Sequence, residues 1–128
     1  MAIQRAGDAM GISLSGLCMI HCLALPLLVS LFPLAGAWAE APWVHWLFVI
    51  MAGPLAAYVL SRPDAAGRLD WPLIAVGATG VMFLFLAAAE FPTHEAETPM
   101  TVTGGLVLAG AHILNWRKRN HVHKSTAA

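Results

Sequence analysis

Gly11-Ile12-Ser13-Leu14-Ser15-Gly16-Leu17-Cys18-Met19-Ile20-His21-Cys22-Leu23 opens an uncharged apolar run that continues to Leu34. About 20 apolar residues cross a hydrocarbon layer of about 30 Å, so the run predicts a membrane-spanning helix. Two thiols and an imidazole lie inside it, where lipid or other helices are their neighbours and their polarity requires compensation. Residues three and four apart share a helix face, so Cys18, His21 and Cys22 project together, with Ser15 one turn earlier. Thiolate sulfur takes soft metals and imidazole suits zinc, copper and iron. The cluster therefore predicts a metal site.

The rest of the chain fits the same environment. Of 128 residues, 59% are hydrophobic and 11% charged, too few charges to coat a soluble globule. The expected fold is an all-α integral membrane protein, one domain over 1–128. Its spans are expected at 11–32, 44–60, 72–89 and 100–116, after a short polar lead and before a flexible tail at 120–128. Trp43 and Trp46 mark an interfacial belt, with His45 between them as a further interface anchor. Pro26 and Pro54 are expected to bend their helices, Pro26 by pressing on the Cys22 carbonyl. Gly77, Gly80, Gly104, Gly105 and Gly110 supply small faces for close helix approach.

Positive charge falls on one side. Arg5, then Arg62 and Arg68, then Arg117, Lys118, Arg119 and Lys124 occupy the amino terminus, the middle loop and the carboxyl tail, while the other two connections have none. The positive-inside rule then gives four spans with both termini cytoplasmic. Arg5, the apolar run and Ala35-Gly36-Ala37 imitate a signal peptide, but the run exceeds the usual apolar core of about 7–15 residues. All seven Asp and Glu are expected at span ends or in loops, leaving no acidic residue in mid-membrane.

With a rise of about 1.5 Å per residue, Cys18 is expected roughly 10 Å into the membrane, His21 and Cys22 roughly 15–17 Å, and His112 about 7 Å. The first and last helices would then bring Cys18, His21, Cys22 and His112 to overlapping depths as metal ligands, with Asn115 beside His112. Glu90, His94 and Glu95, joined by Glu97, either offer carboxylates and imidazole to an incoming cation or form a solvated, topology-setting loop. Two thiols suit linear Hg(II) or Cu(I), and the thiol–imidazole set suits tetrahedral Zn(II). Cysteines can also be small apolar packing residues, and His112 and Asn115 can join helices by hydrogen bonds. His121 and His123 sit in a basic tail suited to anionic headgroups.

Several classes are excluded or held as rivals. Zero formal net charge and the lack of a basic, aromatic-interleaved patch argue against nucleic-acid partners. No Gly-rich phosphate loop is present, so no ATP hydrolysis and no enzymatic activity are expected. No permanent cofactor is expected. His21 and His112 could ligate one haem, although the order Cys-x-x-His-Cys is not the covalent attachment pattern. An assembly or sensor subunit, with the polar cluster serving as helix glue, is the other rival.

The front segment with Pro26, the Glu90/His94 loop, and Gly104-Gly105 leading to His112, Asn115 and Arg117 resemble the MerC family of small bacterial inner-membrane proteins. That resemblance implies four membrane helices, multi-pass insertion in the inner membrane and inward carriage of mercuric ion. The family's first-span cysteine pair maps onto Cys18 and Cys22. No cysteine follows Cys22, which keeps zinc and copper as alternative cargo. Expected partners are the metal ion, the lipid bilayer, and a second copy or other metal-handling proteins.

Overall fold

The computed structural model describes residues 2–32, 41–64 and 67–126, apart from the side chains at 2, 26, 28 and 121–126. The described residues form four long helices, α1 (Ala2–Leu31), α2 (Pro42–Leu60), α3 (Trp71–Ala88) and α4 (Glu97–Thr126), with a 3-10 turn at His94–Ala96. No strand occurs among the described residues. The sequence feature at Ala35-Gly36-Ala37 and the acidic Glu40 lie outside them, as do the side chains of Pro26, His121, His123 and Lys124.

Helix starts follow local chemistry. Ala41 is extended and Pro42 opens α2, where its missing N–H has no intrahelical partner to lose. Asp70 caps α3 by accepting from the Leu73 amide at 3.2 Å, with Pro72 in the first turn. At the other end of α3, the Phe91 amide donates to Leu86 O and the Glu90 amide to Ala87 O. This is a Schellman ending, and its left-handed residue is Glu90 at φ 53° rather than the usual glycine. α4 begins on the acidic Glu97, and the hydroxyls of Thr101 and Thr103 donate back to Glu97 O and Pro99 O.

Two helices outrun the expected spans. α1 begins at Ala2 instead of near residue 11, so Asp8 is part of the helix and 1% exposed. The lead contains good helix formers, and α4 supplies partners for its carboxylate. The expected polar lead is thus corrected: it is helical, and its carboxylate is buried against α4. α4 likewise continues past residue 116 to Thr126. Arg119, one turn beyond Asn115, holds it there by donating to Asn115 Oδ1, Gln4 Oε1 and Arg62 O at 3.1, 3.1 and 2.8 Å.

α4 packs most extensively on α3, then on α1, while α2 lies against α3 and α1. The α3–α4 crossing is a backbone approach: a Cβ built on Gly80 would lie 3.0 Å from Gly104 O, and one on Gly104 would lie 2.9 Å from Gly80 O. The core contains Cys18, Ala52, Ala56, Leu84, Leu108 and Ala111, whereas Leu17, Ile20, Leu23, Leu27 and Leu31 of α1 are exposed. Large apolar side chains outside and polar ones inside are the pattern of a bundle solvated by lipid. Among the described residues, Ile3–Leu25, Pro42–Leu60 and Trp71–Ala88 are long and apolar enough to cross a membrane.

Candidate metal centre

Among the described side chains of α1, those buried are Gly7, Asp8, Gly11, Ser15, Cys18 and Cys22. Every one is small or polar, so this face admits close neighbours and presents donor atoms to them. Near its carboxyl-terminal part, Cys22 Sγ lies 3.8 Å from His45 Nε2 on α2. His21, Cys22 and His45 each place one ligand atom within 4.8 Å of the others. Cys22 and His45 are 3% and 7% exposed. The His21 ring meets the His45 ring edge-on at 5.6 Å and Phe48 at 5.8 Å, and its buried Nδ1 has no hydrogen-bond partner.

His45 is therefore not an interface anchor. It shares its helix face with Phe48, Ala52, Ala56 and Val59, the face turned to the bundle, while Trp43 is exposed. A signal was present in the sequence: Ala52 and Ala56 follow His45 by two and three turns, marking that face as one able to pack closely. On its far side, His45 Nδ1 is 2.7 Å from Glu97 Oε1, an ion-pair contact that lacks hydrogen-bond alignment.

Glu97 connects the buried thiol to the surface. His94 Nδ1 lies 3.4 Å from Glu97 Oε2 and 3.5 Å from Glu90 Oε2. The His94 side chain is 75% exposed and that of Glu97 14%. Glu90, held left-handed at the end of α3, aims its carboxylate at this chain of contacts. Glu95 stands apart and fully exposed; bonds from its own backbone amide and from Thr93 hold its carboxyl below the usual carboxylate range.

Cys18 lies one turn from Cys22 and is part of the buried core with Ala52, Leu108 and Ala111. Both cysteines are free. His112 and Asn115 belong to a different cluster. The His112 Nδ1–H donates to Asp8 Oδ1 at 3.0 Å, and Asn115 Nδ2 contacts both Asp8 oxygens at 3.0 Å. The His112 ring sits against Gly11, where an added Cβ would be 2.4 Å from Nε2.

This contact fixes the depth of His112. Cys22 is about 16 Å beyond Gly11 along α1, and His21 about 15 Å. The expected overlap of the Cys18–Cys22 and His112 depths is corrected, because α1 starts nine residues earlier than the apolar run suggests. One haem between His21 and His112 is excluded by the same separation.

The MerC mercury resistance protein family matches residues 8–117. The chain belongs to the MerC family. The matched segment begins at Asp8 and takes in His21, Cys22, His45 and Glu97, so both polar clusters lie within the family region. With its apolar helices, this membership makes the chain a membrane protein of a mercury-resistance family. No curated protein and no solved structure matches it.

Proposed function

We propose that this MerC-family protein captures a soft metal cation inside the membrane, mercuric ion foremost, and passes it across by ligand exchange. The observation that carries the reading is the convergence of Cys22, His45 and His21 from two helices. With metal–sulfur and metal–nitrogen bonds of about 2.3 and 2.1 Å, the 3.8 Å separation of Cys22 Sγ and His45 Nε2 subtends about 120°. An ion can therefore reach both donors with little backbone movement, and His21 is at hand as a third. Cys18, one turn away, is the next sulfur. Capture replaces the thiol proton, so it releases a proton and weakens as pH falls. Zinc and copper(I) remain alternative cargo for the same donors.

The arrangement of charge supports a direction. Glu90, Glu97 and His94 lie at the end of the bundle that leads to Cys22, while Arg62, Lys118 and Arg119 lie at the Asp8 end. With α4 as a fourth span, the positive-inside rule puts the Asp8 end and both termini in the cytoplasm and the Glu97 end outside, in a bacterial inner membrane. Glu90 and His94 then meet the cation first, and it moves inward through the thiols.

The test is elemental analysis of detergent-purified protein after exposure to Hg(II), Zn(II) and Cu(I), for the natural chain, Cys22→Ser and His45→Gln. Near-stoichiometric metal in the natural chain, lost in Cys22→Ser and reduced in His45→Gln, is expected. Full retention by a Cys18→Ser/Cys22→Ser double variant would sink the reading.

A further inference from the structure

The centre accounts for one end of the buried α1 face and leaves the remainder without a role. From Cys22 toward the amino terminus, that face presents a side-chain donor or a gap at each turn: Cys22, Cys18, Ser15, Gly11 and Asp8. The steps between them are four, three, four and three residues, or about 6, 4.5, 6 and 4.5 Å along the axis. At Gly11 the missing side chain is replaced by the His112 imidazole from α4, which occupies the place a Cβ would take. The face thus carries thiol, thiol, hydroxyl, imidazole and carboxylate in sequence.

Ser15 shows that this order is more than close packing. It is 3% exposed, and its Oγ has no hydrogen-bond partner. A buried hydroxyl left unpaired costs about 1–3 kcal/mol, and alanine would fill the position without that cost. Most serines inside helices escape it by donating to the carbonyl one turn back; Ser15 has no such bond, although Thr79, Thr101 and Thr103 do in the same bundle. Ser15 lies along the α1–α4 seam, where Gly105 packs against Met19 and the Ser15 backbone carbonyl.

We propose that Ser15 is a donor in the cation's path, receiving it from Cys18 and passing it toward His112 and Asp8, so that the whole buried face of α1 is the route through the bundle. This rests on the capture reading above and extends it. The ligand is the same soft or borderline metal cation. The hydroxyl binds as a neutral oxygen through its lone pair, so no proton has to leave it. As the metal–oxygen bond forms, the metal–sulfur bond to Cys18 breaks, and the freed thiolate takes back a proton, the reverse of the release on capture. The buried carboxylate of Asp8 draws the positive charge along the seam, and rungs about 6 Å apart or less keep the ion from crossing a bare apolar gap.

The experiment separates capture from passage. Natural protein, Ser15→Ala, Ser15→Cys and Cys22→Ser are purified, their retained Hg(II) is measured, and each is reconstituted into vesicles containing entrapped glutathione as a metal trap. Ser15→Ala is expected to melt at the same temperature as the natural chain or higher, and to retain the same Hg(II). It should lose most uptake into the vesicles. Ser15→Cys, which restores a donor atom, is expected to recover uptake. Uptake by Ser15→Ala at the natural rate, or failure of Ser15→Cys to recover it, would overturn the role of Ser15. Unchanged Hg(II) retention by Cys22→Ser would instead strike the capture site.

Discussion

Asp8→Ala tests the tertiary contact that most changes the reading of this chain. Asp8 is 1% exposed and receives three contacts at 3.0 Å, one from His112 and two from Asn115. Interhelical hydrogen bonds in membranes average about 0.6 kcal/mol each, which gives about 2 kcal/mol for the three. Removal also leaves an imidazole and an amide buried without their acceptor, and breaking a buried pair in this way costs about 3–5 kcal/mol. The expected loss is therefore about 2–5 kcal/mol. Reversible unfolding in mixed detergent–SDS micelles reads it directly, and a cycle with Asn115→Ala isolates the contact. A loss under about 1 kcal/mol, or single effects that add within about 0.5 kcal/mol, would refute the account of Asp8 as the clasp between α1 and α4.

Four further outcomes follow from other parts of the bundle. Gly80→Ala should destabilise by about 1–3 kcal/mol, since its Cβ would stand 3.0 Å from Gly104 O and neither backbone can yield freely; the same unfolding assay measures it. Glu90→Gly should raise stability by up to about 1 kcal/mol by relieving a left-handed non-glycine residue, while weakening metal capture through loss of the His94 contact. Glu97→Gln should lower Hg(II) retention without abolishing it, because it removes the carboxylate behind His45 and leaves Cys22 in place. Lys118 hydrogen-bonds Asp70 and holds its carboxyl below the ordinary 3.8. Because the folded value is depressed, this contribution is present above about pH 4 and fades as pH falls through the lowered value. The pair is partly exposed, so the effect should stay under about 1 kcal/mol and vanish in Lys118→Ala, as read from melting temperature against pH.

Much of this was legible in the residues themselves. The uncharged run around Cys18 and Cys22 announces a membrane helix because burying it elsewhere would need a core that 128 residues with so few charges cannot enclose. Trp43, Pro42, Trp71 and Pro72 mark helix openings for local reasons, and α2 and α3 begin there within two residues of the expected positions. The thiols and His21 share a face by helical spacing alone, which requires no partner helix.

What the tertiary structure decided is which donors from other helices meet that face. Asp8 reads as part of a polar lead ahead of the first span until His112 and Asn115 supply the N–H groups that let a carboxylate enter the bundle. That pairing sets the register of α1 against α4, and it carries His112 about 16 Å away from Cys22. His45 reads as a belt residue beside two tryptophans until α2 packs against α1 and turns it to the thiol. Helical periodicity fixes which residues share a face, but the sliding of one helix past another is set by contacts distant in sequence. The cysteines of the centre were therefore determined locally, and their histidine and carboxylate partners only by the packed bundle.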